Sequence, residues 1–279
     1  MPTGHRAWVG VIRSSHLGPC LVLTAIAVTL AWRAGAGSDP GRLSLFAVGV
    51  LAGELSIGWS NDYADADRDA RADRRDKPIV AGTVSRRAVA ACAGIALGAS
   101  VLLCFLVSPA TGVINLAMMV AGWAYNLALK ATLASGLAYV VGFGLAPALA
   151  ASAGPGGPPA PAWMLGAAAL LGLGGHFANV LPDLEGDRVA GVGGLPQRVA
   201  AAPGGPVVVR AIALVLLLGA TALIAVAAGS DLRTRPLILT GLVVAGLLGV
   251  LGAVARGRVP FYAALGIAGL DTVLLLVMA

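Results

Sequence analysis

Two short segments of this chain carry acids at matching spacing. The first reads Asn61-Asp62-Tyr63-Ala64-Asp65-Ala66-Asp67-Arg68-Asp69, and the second Asn179-Val180-Leu181-Pro182-Asp183-Leu184-Glu185-Gly186-Asp187-Arg188. One offset of 118 residues superposes Asn61 on Asn179, Asp65 on Asp183, Asp67 on Glu185, Asp69 on Asp187 and Pro78 on Pro196, so internal duplication is the simplest account. In both copies an Asn is followed by Asp four and eight residues later, which puts all three on one face of a helix end. Carboxylates packed this closely repel one another unless a cation sits between them. An oxygen-only set without His or Cys favours a hard cation, and Mg²⁺ is usually held by one or two carboxylates together with substrate phosphates. A diphosphate bridged by Mg²⁺ between the two clusters would explain why two exist. A solvated acidic loop is the bland alternative for one copy, and two copies at one spacing argue against it. Calcium sensing is disfavoured, because neither segment has the glycine-centred EF-hand pattern.

Cations are interleaved with these acids. Arg68, Arg74, Arg75, Lys77 and Arg188 are candidates to pair with phosphate oxygens, Arg68 foremost because it lies inside the acidic repeat. Glu54 lies two helical turns before Asn61 on the same face, inside an apolar stretch, and reads either as a contact to an acceptor or cation or as an interhelical hydrogen bond. His176 and Asn179 stand one turn apart and point with Asp183; for His176 a structural hydrogen bond competes with acceptor binding. Asn126, one turn from Lys130, either orients that amine or bonds a neighbouring helix. Arg13 and His16 read as topology anchors or as pocket residues. Asp271 has no evident partner in the sequence.

The elements that must position these residues are membrane spans. Of 279 residues 58% are hydrophobic and 11% charged, against about 25% charged in an ordinary soluble domain. Apolar runs bounded by charge, Pro or Gly predict nine spans near residues 15–33, 43–61, 87–107, 110–129, 131–152, 162–181, 207–229, 234–255 and 259–278. With the N-terminus in the cytoplasm, fifteen basic residues fall on that side, against Arg33, Arg42, Arg233 and Arg235 opposite. That asymmetry puts the polar loops near 62–86 and 182–206 in the cytoplasm. The expected organisation is a single domain over 1–279, with repeats at about 15–130 and 131–255 and a ninth span at 259–278. Cys20, Cys92 and Cys104 sit in apolar stretches without metal or disulfide spacing, and no nucleic-acid module is present.

Taken together, these residues resemble the UbiA superfamily of intramembrane prenyltransferases. The family's first motif, NDxxDxxxD, is matched by Asn61, Asp62, Asp65 and Asp69, and Lys77-Pro78-Ile79-Val80-Ala81-Gly82 is similar to the segment that follows it. Its DxxxD motif is matched by Asp183 and Asp187. Tyr125 and Lys130 resemble a Tyr and Lys at the end of the fourth span, although four residues separate them here where a YxxxK form has three.

The resemblance implies an all-α membrane protein of nine helices around a central cavity, with a cytoplasmic cap formed by the loops after spans 2 and 6. It implies Mg²⁺ held by Asp62, Asp65, Asp69, Asp183 and Asp187, with Lys130 beside them in catalysis. Asn61, Arg68, Tyr125, Asn126, Asn179, Arg188, Glu54 and His176 would then contact substrate. The implied reaction transfers a prenyl group from an isoprenyl diphosphate to a small acceptor, foremost an aromatic one. A terpene cyclase on the same scaffold is the rival within enzymes. A membrane transporter is the rival outside them, disfavoured because the acids lie at one rim and not at mid-membrane.

Overall fold

The computed structural model describes residues 4–156, 159–182, 184, 193–229 and 233–279. It is 82% helix, with no strand among the described residues. Among the described residues eleven α-helices run in order: α1 Gly4–Ser14, α2 Leu17–Arg33, α3 Pro40–Arg71, α4 Arg86–Val107, α5 Pro109–Leu127, α6 Ser135–Ala153, α7 Ala162–Asn179, α8 Leu195–Ala200, α9 Gly205–Ala228, α10 Arg235–Val254 and α11 Val259–Met278. Several starts are written in the local sequence. Asp39 accepts the Arg42 amide (3.0 Å) ahead of Pro40, Ser85 caps α4 through Ala88, and Ser108 caps α5 through Thr111 ahead of Pro109.

A helix stands at each of the nine positions where the sequence predicts a span. Six of them (α3, α4, α6, α9, α10 and α11) are long and apolar enough to cross a membrane. A seventh is reached if α1 and α2, bent by 56° across their break, form one span. The other predicted spans fall short for visible reasons: α2 has 17 residues, α5 carries Asn115 and Asn126, and α7 ends on His176 and Asn179.

One boundary is corrected. The acidic segment after residue 61 is expected as loop, yet α3 continues as helix to Arg71. At 32 residues it is roughly 48 Å long, well beyond the ~30 Å of hydrocarbon it needs to cross. Its acidic end therefore projects past the apolar layer.

The chain forms two compact units, Met1–Ala128 with Leu149–Pro158, and Leu129–Ala148 with Pro159–Ala279. In the first, α3 is the central helix, packed on α2, α4 and α5, with α1 against α3 and α4. Small residues allow the close approach that membrane helices depend on: a Cβ on Gly53 would meet Ser100 Oγ of α4 and the Met119 side chain of α5. In the second unit α9 packs on α7, α10 and α11 around a core that includes Leu171, Leu217, Ile224, Ile267 and Leu274. Asp271, fully buried there, finds the partner that the sequence does not reveal: Thr221 Oγ1 donates to its Oδ1 at 2.7 Å.

Candidate active site

The first acidic motif occupies the last three turns of α3. Asp62, Asp65 and Asp69 are all buried, at 3%, 6% and 3% exposure, a degree of burial that charged carboxylates tolerate only when paired. Each is paired with a cation. Asp65 accepts from Arg68 at 2.8 Å, one turn along the same helix, and Arg74 from the following loop lies 3.7 Å from Asp69. Asp62 is held from farther away: Lys77 Nζ donates to its Oδ1 at 2.7 Å, and His16 Nε2 lies 3.0 Å from the same oxygen.

These surroundings set the charges. Burial works against ionisation of Asp62, but the bonds from His16 and Lys77 outweigh it and hold its carboxyl below the usual range. For Asp69 burial dominates and pushes the carboxyl up, Asp65 adding to the effect and Lys77, Arg74 and Arg68 opposing it. At the motif's outer face, Asp67 pairs with Arg86 at 3.0 Å, and that guanidinium also covers the Tyr63 ring at 4.7 Å.

Asn61 donates to Asn126 Oδ1 at 3.2 Å, while Asn126, buried in α5, donates to the Ile57 carbonyl and to Ser60 Oγ at 3.0 and 2.7 Å. Asn126 is therefore an α5-to-α3 tie that also orients Asn61. Tyr125 is half-buried in the last full turn of α5, and Lys130 lies in a short 3₁₀ turn, Leu129–Ala131. Glu54 is half-buried in the middle of α3 and makes no hydrogen bond among the described residues. His176, 3% exposed in α7, lies 3.0 Å from Ser135 Oγ and stacks on Tyr139 with ring centroids 4.4 Å apart, which favours the structural role. Asn179 ends α7 and is exposed. Asp183, Glu185, Asp187 and Arg188 lie outside the described residues.

The sequence does not reveal that His16 and Lys77 converge on Asp62. The one local signal is the left-handed backbone at His16 (φ 55°), which breaks the chain between α1 and α2, and nothing in residue type announces it. Ser135, which joins His176 to the Leu195 amide (2.9 Å), is equally silent in the sequence.

The residues present suit a hard divalent cation. The donors are carboxylate oxygens on one helix face, within reach of guanidinium and ammonium groups that suit phosphate. Among the described residues no three acids, histidines or cysteines converge to enclose an ion unaided. A cation here would need further oxygen ligands from outside this cluster.

The sequence pattern of the UbiA prenyltransferase family matches residues 21–270. No curated protein gives a significant match. Among solved structures, the chain is similar to a digeranylgeranylglyceryl phosphate synthase (TM-score 0.74, 14% identity, covering 97% of this chain and 98% of that one). It is similar to an apo UbiA homologue from Aeropyrum pernix K1 (0.71, 19%, 91% and 97%). A UbiA homologue from Archaeoglobus fulgidus bound to geranyl diphosphate and Mg²⁺ also matches (0.69, 15%, 97% and 100%). At these identities the structural likeness is one of fold.

Proposed function

Because this chain belongs to the UbiA prenyltransferase family, and is thereby a prenyltransferase, we propose that it transfers a prenyl group from an isoprenyl diphosphate to a small acceptor, foremost an aromatic one, in a Mg²⁺-dependent reaction within the membrane. The observation that carries this reading is the row of buried carboxylates on the projecting end of α3, each beside a basic side chain. The bound Mg²⁺ and geranyl diphosphate of the Archaeoglobus homologue support it.

In this reading Asp65 and Asp69, with Asp183 and Asp187, hold the metal. Bound there, Mg²⁺ supplies Lewis-acid stabilisation of the charge that gathers on the departing diphosphate. Arg68, Arg74, Arg188 and Lys130 would contact the diphosphate oxygens, the first two by turning from the carboxylates they pair with in this structure. Asn61, oriented by Asn126, adds a neutral donor to the same place. The apolar spans take the prenyl chain and keep water from the allylic cation. Tyr125, Asn179, Glu54 and His176 remain candidates for substrate contact, Glu54 the foremost for the acceptor because its carboxylate has no hydrogen bond among the described residues.

We place the two motifs in two halves of a duplicated chain, about 15–130 and 131–255, followed by a ninth span. The nine helices at the predicted span positions cross the cell membrane, the N-terminus is cytoplasmic, and the loops after the second and sixth spans cap the site from the cytoplasm. The excess of basic residues on that side supports this orientation.

Product analysis of the purified protein with geranyl, farnesyl or geranylgeranyl diphosphate and Mg²⁺ tests the transfer step, with and without a panel of aromatic acceptors. Adducts that form only with an acceptor are expected. A cyclic hydrocarbon or alcohol formed without acceptor would replace transfer by cyclisation.

A further inference from the structure

We propose that Asp62 is a positioning residue and not a metal ligand: with His16 and Lys77 it fastens the loop after α3 to the start of α2. This deepens the reading above and rests on it only for the metal.

Three observations separate Asp62 from its neighbours. First, these two partners lie 46 and 15 residues away in the chain, whereas Arg68, which pairs with Asp65, is its neighbour on one helix and Arg74, which pairs with Asp69, lies just past that helix's end. The Asp62 and Lys77 side chains are 2% and 15% exposed, while Arg68 and Arg74 are 37% and 49% exposed and free to turn away. A dication on Asp62 Oδ1 would sit against the Lys77 ammonium, only 2.7 Å from that oxygen, and would repel it strongly in so buried a place.

Second, the loop has reason to be fastened. It leaves α3 through Asp73 in a left-handed conformation (φ 47°), Arg74 N reaches back to Asp69 O, and the backbone bonds from Lys77 onward are short-range turns within residues 74–83, such as Ala81 N to Lys77 O and Thr83 N to Pro78 O. The Asp62 clasp gives it a long-range anchor at Lys77, where Nζ also lies 3.5 Å from His16 Nε2. Arg13 adds a weak second tie, to the Asp76 carbonyl at 3.4 Å.

Third, the same mechanical joint recurs in the second unit without an acid. At the repeat offset Lys77-Pro78 corresponds to Leu195-Pro196, and His16 falls one residue from the counterpart of Ser135. There the Leu195 amide donates to Ser135 Oγ at 2.9 Å, again joining the segment after the motif to the start of its unit's first repeat helix. Asp65 and Asp69 have acidic counterparts in Asp183 and Asp187, but the counterpart of Asp62 is Val180. The joint is duplicated and its carboxylate is not, whereas the metal-holding pair is duplicated as carboxylates.

The test combines Mn²⁺ binding, in the presence of geranyl thiodiphosphate, with amide hydrogen exchange on the full-length protein in detergent. Asp62→Asn and Lys77→Met are expected to speed exchange at residues 81–83 by about tenfold while Mn²⁺ binding persists. Asp65→Asn is expected to do the reverse, losing Mn²⁺ with exchange unchanged. Loss of Mn²⁺ from Asp62→Asn with the loop still protected would overturn the proposal, as would unchanged exchange in Lys77→Met. If Asp65→Asn keeps Mn²⁺, the two-cluster reading fails, and the exchange arm still decides the role of Asp62.

Discussion

Asp65→Ala is expected to leave a folded protein that releases almost no diphosphate. In the proposed reading this carboxylate holds the metal against the leaving group, and metal stabilisation of that charge is worth several kcal/mol. At 1.36 kcal/mol per decade, its loss lowers the rate by about a thousandfold or more. Stability should change far less. The Asp65–Arg68 pair is an i,i+3 contact on one helix with a part-exposed guanidinium, a class of interaction worth about 1 kcal/mol at most. Alanine is also a better helix former than aspartate. Circular dichroism and gel filtration should match wild type while turnover disappears. Asp183→Ala is expected to behave alike, and full activity in either variant would refute a mechanism that uses two clusters.

Gly58→Val is expected to damage folding and activity together. Gly58 faces the break between α1 and α2, where a Cβ would collide with the Ser15 carbonyl, and the next nearest atoms are also Ser15 backbone. No flexible side chain is there to yield, so the backbone between α1 and α2 must move off α3. Forcing atoms into a packed interface costs about 1–3 kcal/mol, sometimes more, and here the displaced backbone adjoins His16, drawing it from Asp62. A melting curve in detergent should fall well below that of Gly98→Ala, whose Cβ meets nothing within 4 Å and which gains about 1 kcal/mol of helix propensity. Equal melting temperatures in the two variants would show that α2 and α3 are not packed as described.

What the sequence made legible follows from what apolar pattern measures. It located a helix at all nine expected positions, because hydrophobic length marks a buried or lipid-facing helix however it is capped. It ended the second span near residue 61, because polarity begins there, but helicity does not stop with hydropathy: Asp62 to Arg71 remain helical, with Arg68 bridging Asp65 across one turn. It gave no separate place to α1, whose eleven residues are too few and too mixed for a span. The acids were legible as a repeated spacing, since i, i+4 periodicity is local. Their cations were legible only as nearby charges. That His16 reaches Asp62 depends on a left-handed break and a contact between α2 and α3, which are tertiary facts. Asn126 and His176 show the same limit, for their partners Ser60 and Ser135 are ordinary serines in the sequence.

The most direct measurement is diphosphate release by the purified protein from geranyl, farnesyl and geranylgeranyl diphosphates, in Mg²⁺ and in EDTA, with acceptors present and with Asp65→Ala beside wild type. Release that requires Mg²⁺ and vanishes in Asp65→Ala is the expected result. No release from any of the three substrates in Mg²⁺, or release that continues undiminished in EDTA, would contradict metal-assisted ionisation at the α3 carboxylates.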